Sequence, residues 1–388
     1  MQLIENTQDL KELTKRLSQE KFVCIDSEFL REHTYFAKLC LIQIASEKEA
    51  AIIDPLANDI DLTPFFDLMQ NQNIVKVFHS GRQDIEIIYN LSGRIPTPLY
   101  DTQIAAQAAG FGEYPSYENV VSHILHIELD KSSRLSDWAH RPLDTKQLNY
   151  ALSDVTHLVN IYLHLTAWLE KHGRTHWIDE EINALSNESL FKIDPNEAWL
   201  KIRHRSHSSL FLTTLRELAA WREMRAINKD VPRHSFIKDD LLLNICAAQP
   251  NNKQELAVIR GMRTDLASGK IGDEILEVLQ KVKSLPKEDY ATPCYPPEIS
   301  GADSSLMELL KLLLKVKAQE EKIVARMIAS EDDLKLFCIR EDDKVPFMHD
   351  WRYAIFGQYA EMLRDGKTAI AYNAEYHSLK FIAISEQN

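Results

Sequence analysis

The sequence predicts an α/β domain followed by all-α units, and three observations predict it. Apolar, β-branched runs bounded by polar turns follow closely on one another near the start, from Phe22 to Asp26, Leu39 to Ala45 and Ala50 to Asp54. Strands then alternate with helical stretches: a helix around Leu62 to Met69, the strand Ile74 to Phe78, a helix from about Gln83 and a short strand near Leu99. Beyond about residue 207 apolar residues recur at helical spacing, as in Leu212, Leu215, Leu218 and Ala219. Strands first and alternation afterwards fit a mixed sheet flanked by helices, with short polar connections suiting antiparallel pairing of the early strands.

The first run, Phe22-Val23-Cys24-Ile25-Asp26-Ser27-Glu28-Phe29, ends in two carboxylates two residues apart. Successive side chains on a strand alternate faces, so Asp26 and Glu28 project from one side, close enough to share a hard divalent cation. Asp-x-Glu recurs at Asp84/Glu86 and at Asp179/Glu181, but only the first copy follows a buried-strand pattern, where charge is costly. Asp84 follows His79-Ser80-Gly81-Arg82-Gln83 after the Ile74 to Phe78 strand. Tyr150 and Asp154 are four apart, which on a helix stacks them on one face. Four carboxylates and a tyrosine suit a two-metal phosphodiesterase, in which carboxylates hold two Mg²⁺ or Mn²⁺ ions about 4 Å apart and a polar group orients the attacking water.

The order and spacing of these pieces resemble the DEDD exonuclease superfamily, in the subgroup whose last motif carries a tyrosine, and most closely the ribonuclease D family. Cys40-Leu41-Ile42-Gln43-Ile44 resembles that family's second strand, and Tyr100-Asp101-Thr102-Gln103-Ile104-Ala105 the segment after its second motif. Leu135-Ser136-Asp137-Trp138 and Arg141-Pro142-Leu143 resemble the approach to the catalytic helix, which Gln147-Leu148, Tyr150-Ala151 and Asp154-Val155 complete. The resemblance implies a ribonuclease H-like fold with the acids gathered at one end of the sheet. It also implies one metal on Asp26, Glu28 and Asp154, a second on Asp26 with Asp84 acting through its water shell, and Tyr150 orienting the nucleophile. His79 is placed to contact a phosphate or the terminal nucleotide, or else is a buried histidine satisfied by backbone. Phe29 could wedge against the 3′ terminal base or belong to the core. Trp138 and Arg141 read as supports for the catalytic helix, and Asp101 lies near the cluster but outside the family's ligand set.

Further along, Trp221-Arg222-Glu223, Asp230-Val231-Pro232-Arg233 and Ile237 with Asp240-Leu241-Leu242 resemble the helicase and ribonuclease D C-terminal (HRDC) domain, a small helical nucleic-acid-binding module. After the proline-rich stretch Pro286 to Pro297, a second helical unit opens at Ser304 or Ser305 as candidate cap, runs through Leu306 to Val316 and stops at Gly366. It resembles a second, divergent HRDC copy and reads best as a packing module completing a ring with the nuclease domain. The expected units are therefore an exonuclease domain over 1–170, a connector over 171–207, and HRDC-like domains over 208–288 and 298–388.

A net charge of −13 argues at first against nucleic acid, but the charge is unevenly spread. Residues 1–200 carry 17 basic against 30 acidic side chains, whereas residues 201–270 carry 13 against 7. The acidic part holds the candidate metal ligands, and the basic stretch is where RNA phosphates could be held, with Arg222, Arg225 and Arg233 as candidates. The alternative for these arginines is a solvated helix face with intrahelical pairs to Glu217 and Glu223. Five scattered cysteines without C-x-x-C exclude a disulfide framework or zinc site and suit a reducing, cytoplasmic setting. No apolar run reaches membrane-spanning length, and no obligate protein partner is evident.

The expected activity is 3′ to 5′ exoribonuclease action on structured RNA, narrowed by the resemblance to tRNA precursors. A DNA exonuclease of the same superfamily fits the acids equally but leaves the HRDC-like units without a helicase or polymerase module. A noncatalytic RNA-binding relic is disfavoured by the intact acids.

Overall fold

The computed structural model describes residues 2–130, 136–206, 208–292, 301–375 and 378–384; Leu135 and Cys294 lie outside them, as does the end of the proline-rich stretch. Six strands form one sheet in the order β1-β4-β3-β2-β5-β6. They are β1 (Gln2–Ile4), β2 (Phe22–Leu30), β3 (Lys38–Ala45), β4 (Ala50–Ile53), β5 (Val75–Phe78) and β6 (Leu99–Asp101). β2, β3 and β4 are antiparallel neighbours, while β1, β5 and β6 join in parallel. The antiparallel pairs follow from their short connections, and the parallel ones from the helical crossovers between them.

Helices α1 (Thr7–Leu17), α2 (Thr63–Met69) and α3 (Arg82–Ser92) cover one face, where Leu10, Leu13, Phe65, Leu68, Ile85 and Ile88 share a core with Val23 and Ile25. The strand period assigns Phe22 and Cys24 to the opposite face. There they meet Val155, Leu158 and Val159 of α6 (Thr145–Lys171), which follows α4 (Thr102–Ala108) and α5 (Tyr117–Leu125). Asp144 caps α6 in a reciprocal box with Gln147. Arg141 anchors the approach: its guanidinium donates to Asp54 at 2.6 and 2.7 Å and to the Trp138 and Cys40 carbonyls at 2.7 Å each.

The connector carries α7 (Asp179–Leu185) and lies partly on the nuclease core, where Phe191 is buried. The first helical unit comprises α8 (Ser209–Lys229), α9 (Arg233–Phe236), α10 (Asp239–Ala248), α11 (Lys253–Ala257), α12 (Thr264–Ser268) and α13 (Lys270–Ser284). The last unit has α14 (Gly301–Glu321), α15 (Ala325–Ile328), α16 (Glu331–Cys338), α17 (Asp350–Arg352) and, after a π-helical turn at Tyr353–Gly357, α18 (Gln358–Arg364). α14 starts before Ser304 and Ser305, so neither is its cap. A hairpin of β7 (Thr368–Asn373) and β8 (Ser378–Ala383) follows Gly366, strands that the helical reading of this unit left out.

This last unit does not pack alone. Met307, Leu310, Leu313 and Phe337 share one apolar core with Ala105, Val120, Ile161, Leu165 and Leu169 of the nuclease domain. Trp177 stacks on Trp351 at 4.2 Å between ring centroids, and the buried Arg352 guanidinium binds Glu180, Glu181 and the Met327 carbonyl.

Candidate active site

Where β2 leaves the apolar part of α6, its α6-facing side changes from Phe22 and Cys24 to Asp26 and Glu28. Asp26 pairs with Gln43 and Glu28 with Leu41 across β3, and a bulge follows at Glu28/Phe29. Tyr150 and Asp154, one turn apart near the start of α6, face the same point. Asp26, Glu28 and Asp154 each offer a carboxylate oxygen, and these atoms lie within 4.8 Å of one another, the one such group of acidic, His or Cys ligands among the described residues. Asp84 stands beside this group, not in it. It is buried in the first turn of α3, and its carboxylate accepts the hydroxyl proton of Ser27, which points to the other side of β2.

Position 84 is set by a tight turn. Ser80 is left-handed at φ 57°, and a Cβ on Gly81 would stand 2.3 Å from the Phe78 Cβ, so only glycine fits. Asp101 holds that turn: its carboxylate accepts the Ser80 and Gly81 amides at 3.1 and 2.9 Å while capping α4 through Gln103. The part it plays is thus structural, apart from the acid cluster.

The acids strain against their own burial. Desolvation raises Asp26 to about 6. Burial and then the Asp26 charge raise Asp84 to about 8, against the Ser27 hydrogen bond. The same two causes raise Asp154 to about 8, against a hydrogen bond from Tyr150. Asp26, Asp84 and Asp154 thus resist ionisation, and the oxygens that Asp26, Glu28 and Asp154 bring together fit a divalent cation, which favours their anionic forms.

A pocket of about 240 Å³ opens beside the cluster, lined by Asp26, Tyr150 and Asp154 and by His79, Ser116 and Tyr117. The His79 Nδ1 meets the Thr102 hydroxyl at 2.9 Å and Nε2 the Pro115 carbonyl at 3.2 Å. Burial lowers its pKa, so the ring is neutral and its polar atoms are engaged by the protein. Tyr117, which donates its hydroxyl to the Asp154 carbonyl, is a pocket residue that the sequence did not single out. Its contact with α6 spans 37 residues, and no local pattern announces it.

Four candidate substrate residues lie elsewhere. Phe29 is partly buried and packs on the α1–α3 core, because the strand period puts it on the same face of β2 as Val23 and Ile25. Arg222 is fully buried and donates to the Ile237 carbonyl at 2.8 Å and Asp239 at 2.7 Å. Arg225 pairs with Glu274 and lies over Phe236 at 5.0 Å, and Arg233 pairs with Glu223 at 3.3 Å. None of these is an intrahelical pair of the kind helix spacing suggests, since each partner comes from another helix, Glu223 of α8 facing Arg233 of α9 included. Glu223 and Asp230 also bind the β2–β3 loop through the Tyr35 hydroxyl and the Tyr35 and Phe36 amides. The three arginines therefore tie helices of the first helical unit to one another, while Glu223 and Asp230 join that unit to the nuclease domain.

Comparison with known proteins agrees with this architecture. The 3′-5′ exonuclease family model matches residues 1–170, and the HRDC domain model matches residues 211–279. Ribonuclease D of Zymomonas mobilis is 42% identical over 371 residues, covering 95% of both chains. That of Bartonella henselae is 43% identical over 95% of this chain and 91% of its own. The crystal structure of Escherichia coli RNase D, described as an exoribonuclease involved in structured RNA processing, superposes with a TM-score of 0.81 at 25% identity, over 94% of this chain and 98% of that one. Among the described residues no helix is long and apolar enough to cross a membrane. With relatives this similar along nearly its whole length, the chain belongs to the ribonuclease D family of metal-dependent 3′ to 5′ exoribonucleases.

Proposed function

We propose that this exoribonuclease trims the 3′ ends of structured RNA, tRNA precursors above all, with two Mg²⁺ or Mn²⁺ ions at the acid cluster. The observation that carries the reading is the meeting of Asp26, Glu28 and Asp154 within 4.8 Å beside a pocket of nucleotide scale. Asp26, Glu28 and Asp154 would hold one ion, and Asp26 with Asp84 the other. When bound, the ions lower the pKa of the attacking water and offset the charge growing on the phosphorane and leaving oxygens. The Tyr150 hydroxyl, already bonded to Asp154, orients the water by a hydrogen bond. Ser27 fixes the Asp84 carboxylate against β2, and Tyr117 fixes the backbone of Asp154. The RNA assignment within the reading is supported by the structured-RNA role described for the Escherichia coli relative.

The test is to incubate the protein with matched RNA and DNA oligonucleotides labelled at the 3′ or 5′ end, with and without EDTA, beside Asp26→Asn. The expected result is stepwise loss of RNA 3′ nucleotides, abolished by EDTA and slowed at least about 10³-fold by Asp26→Asn, which keeps the volume but removes the bridging charge. Near wild-type hydrolysis by Asp26→Asn, or equal cutting of DNA, would overturn it.

A further inference from the structure

A second concave surface lies where the nuclease domain meets the last helical unit. Its base is a backbone contact between Gly110, at φ 91°, and Lys322, at φ 55°. A Cβ on residue 110 would stand 2.6 Å from the Lys322 carbonyl oxygen, so the close approach requires glycine on geometric and conformational grounds alike. Arg174 fastens the same seam from behind, donating to the Ala108 carbonyl at 3.1 Å and the Glu321 carbonyl at 2.9 Å while lying 4.4 Å from the Trp177 ring. The positions of the side chains along this seam are therefore built into the domain contact.

Those side chains are cationic in a chain of net charge −13. The groove is lined by Lys311, Lys315 and Lys322, with no carboxylate in its wall. Glu308 and Glu331 lie 3.5 and 3.4 Å from Lys311, but Lys315, Lys322 and Arg326 have no ion pair among the described residues. The Arg326 guanidinium sits 5.6 Å from the centroid of Tyr114, whose ring is 53% exposed. Tyr114 is two residues, at most about 7 Å of chain, from Ser116, which lines the catalytic pocket. One loop, residues 110–116, thus runs from the basic groove past an exposed aromatic ring to Ser116 at the rim of the catalytic pocket.

An exposed ring beside unpaired cations is what a single strand of nucleic acid requires: a π-face for a base and positive charge for the phosphates that follow. We propose that this seam is the track for the single-stranded 3′ segment of the RNA, upstream of the nucleotide being removed. Tyr114 stacks with a base, and Arg326, Lys322 and Lys315 hold successive phosphates. The last helical unit, though acidic as a whole, then touches RNA through this one edge. The inference rests on the exoribonuclease reading of the pocket.

The test uses the full chain, a trinucleotide and an unstructured 16-mer RNA. Tyr114→Asn removes the ring while tolerating the left-handed backbone at φ 47°, and Lys315→Ala with Arg326→Ala removes two cations from exposed positions. On the 16-mer, Tyr114→Asn should raise KM about tenfold or more with kcat unchanged. The double variant should also flatten the slope of log affinity against log salt by about 1.4, or 0.7 per phosphate contact. The trinucleotide, too short to reach the lysines of the groove, should be bound by the double variant with KM changed less than on the 16-mer. Anisotropy of a labelled 16-mer in EDTA reads the track without turnover, so it remains testable should the pocket prove not to cleave RNA. Unchanged 16-mer binding and salt slope would overturn the proposal, as would equal losses on both substrates, which would assign loop 110–116 to the pocket alone.

Discussion

Cation binding at the acid cluster should be strongly linked to protons. In the cation-free protein Asp84 and Asp154 are raised to about 8 and Asp26 to about 6, so at pH 6 the first two are almost wholly protonated. A divalent ion needs carboxylates, so its binding must release these protons. Between pH 6 and 8 the apparent affinity should climb about 50-fold if one proton leaves and about 10³-fold if two do, ~2 to ~4 kcal/mol at 1.36 kcal/mol per unit. The stability side has a definite sign. Groups raised on folding stabilise the cation-free fold fully below their unfolded value near 4, and that contribution is lost as pH rises through 8. The Tm gain on adding Mg²⁺ should therefore be larger at pH 8 than at pH 6. Acids with lowered values, such as Asp61 and Asp265, have finished titrating below this window and do not mask it. Calorimetric titration with Mn²⁺ or Mg²⁺ in buffers of different ionisation enthalpy counts the protons directly. A flat affinity between pH 6 and 8, or no proton release, would refute the reasoning, and Asp154→Asn should flatten the slope in any case.

Two further outcomes are expected. Tyr150→Phe should slow single-turnover hydrolysis by about 10²-fold or more while leaving Mn²⁺ affinity nearly unchanged; equal damage to both would make the hydroxyl a structural group. Arg222→Ala should cost about 1 to 3 kcal/mol for the Ile237 carbonyl left without its donor, plus the packing of the buried stem, seen as a lower urea midpoint. RNA affinity and its salt slope should stay put, and a stable variant with weakened RNA binding would return Arg222 to the substrate.

The parts of the site legible in the sequence are those that regular geometry creates. A period of two on β2 joins Asp26 to Glu28, and a spacing of four on α6 joins Tyr150 to Asp154. The mixed sheet was legible for the same reason, since its strands are apolar runs with short connections. The charge count of residues 201–270 does not report pairing: six of its 13 basic side chains, Arg216, Arg222, Arg225, Arg233, Lys253 and Arg263, lie in ion pairs. Partners such as Glu274 for Arg225, 49 residues away, follow from tertiary packing alone. The β7–β8 hairpin had a visible alternation, in Ile370-Ala371-Tyr372 and Leu379-Lys380-Phe381, and was missed after the stop at Gly366 was taken as the end of the regular structure.

The core shared by α4, α5 and α6 with α14 and α16 bears on how the enzyme is made. Ile161, Leu165 and Leu169 belong to one apolar core with side chains as late as Leu363, nearly two hundred residues downstream. At 5 to 20 residues per second the ribosome needs about 10 to 40 s to synthesise that stretch. For that interval the apolar side chains that α4, α5 and α6 share with the last unit lack those later partners, while β2, β3 and β4 already pack on α6. The two parts thus close one core only when the last helical unit folds back onto the nuclease domain.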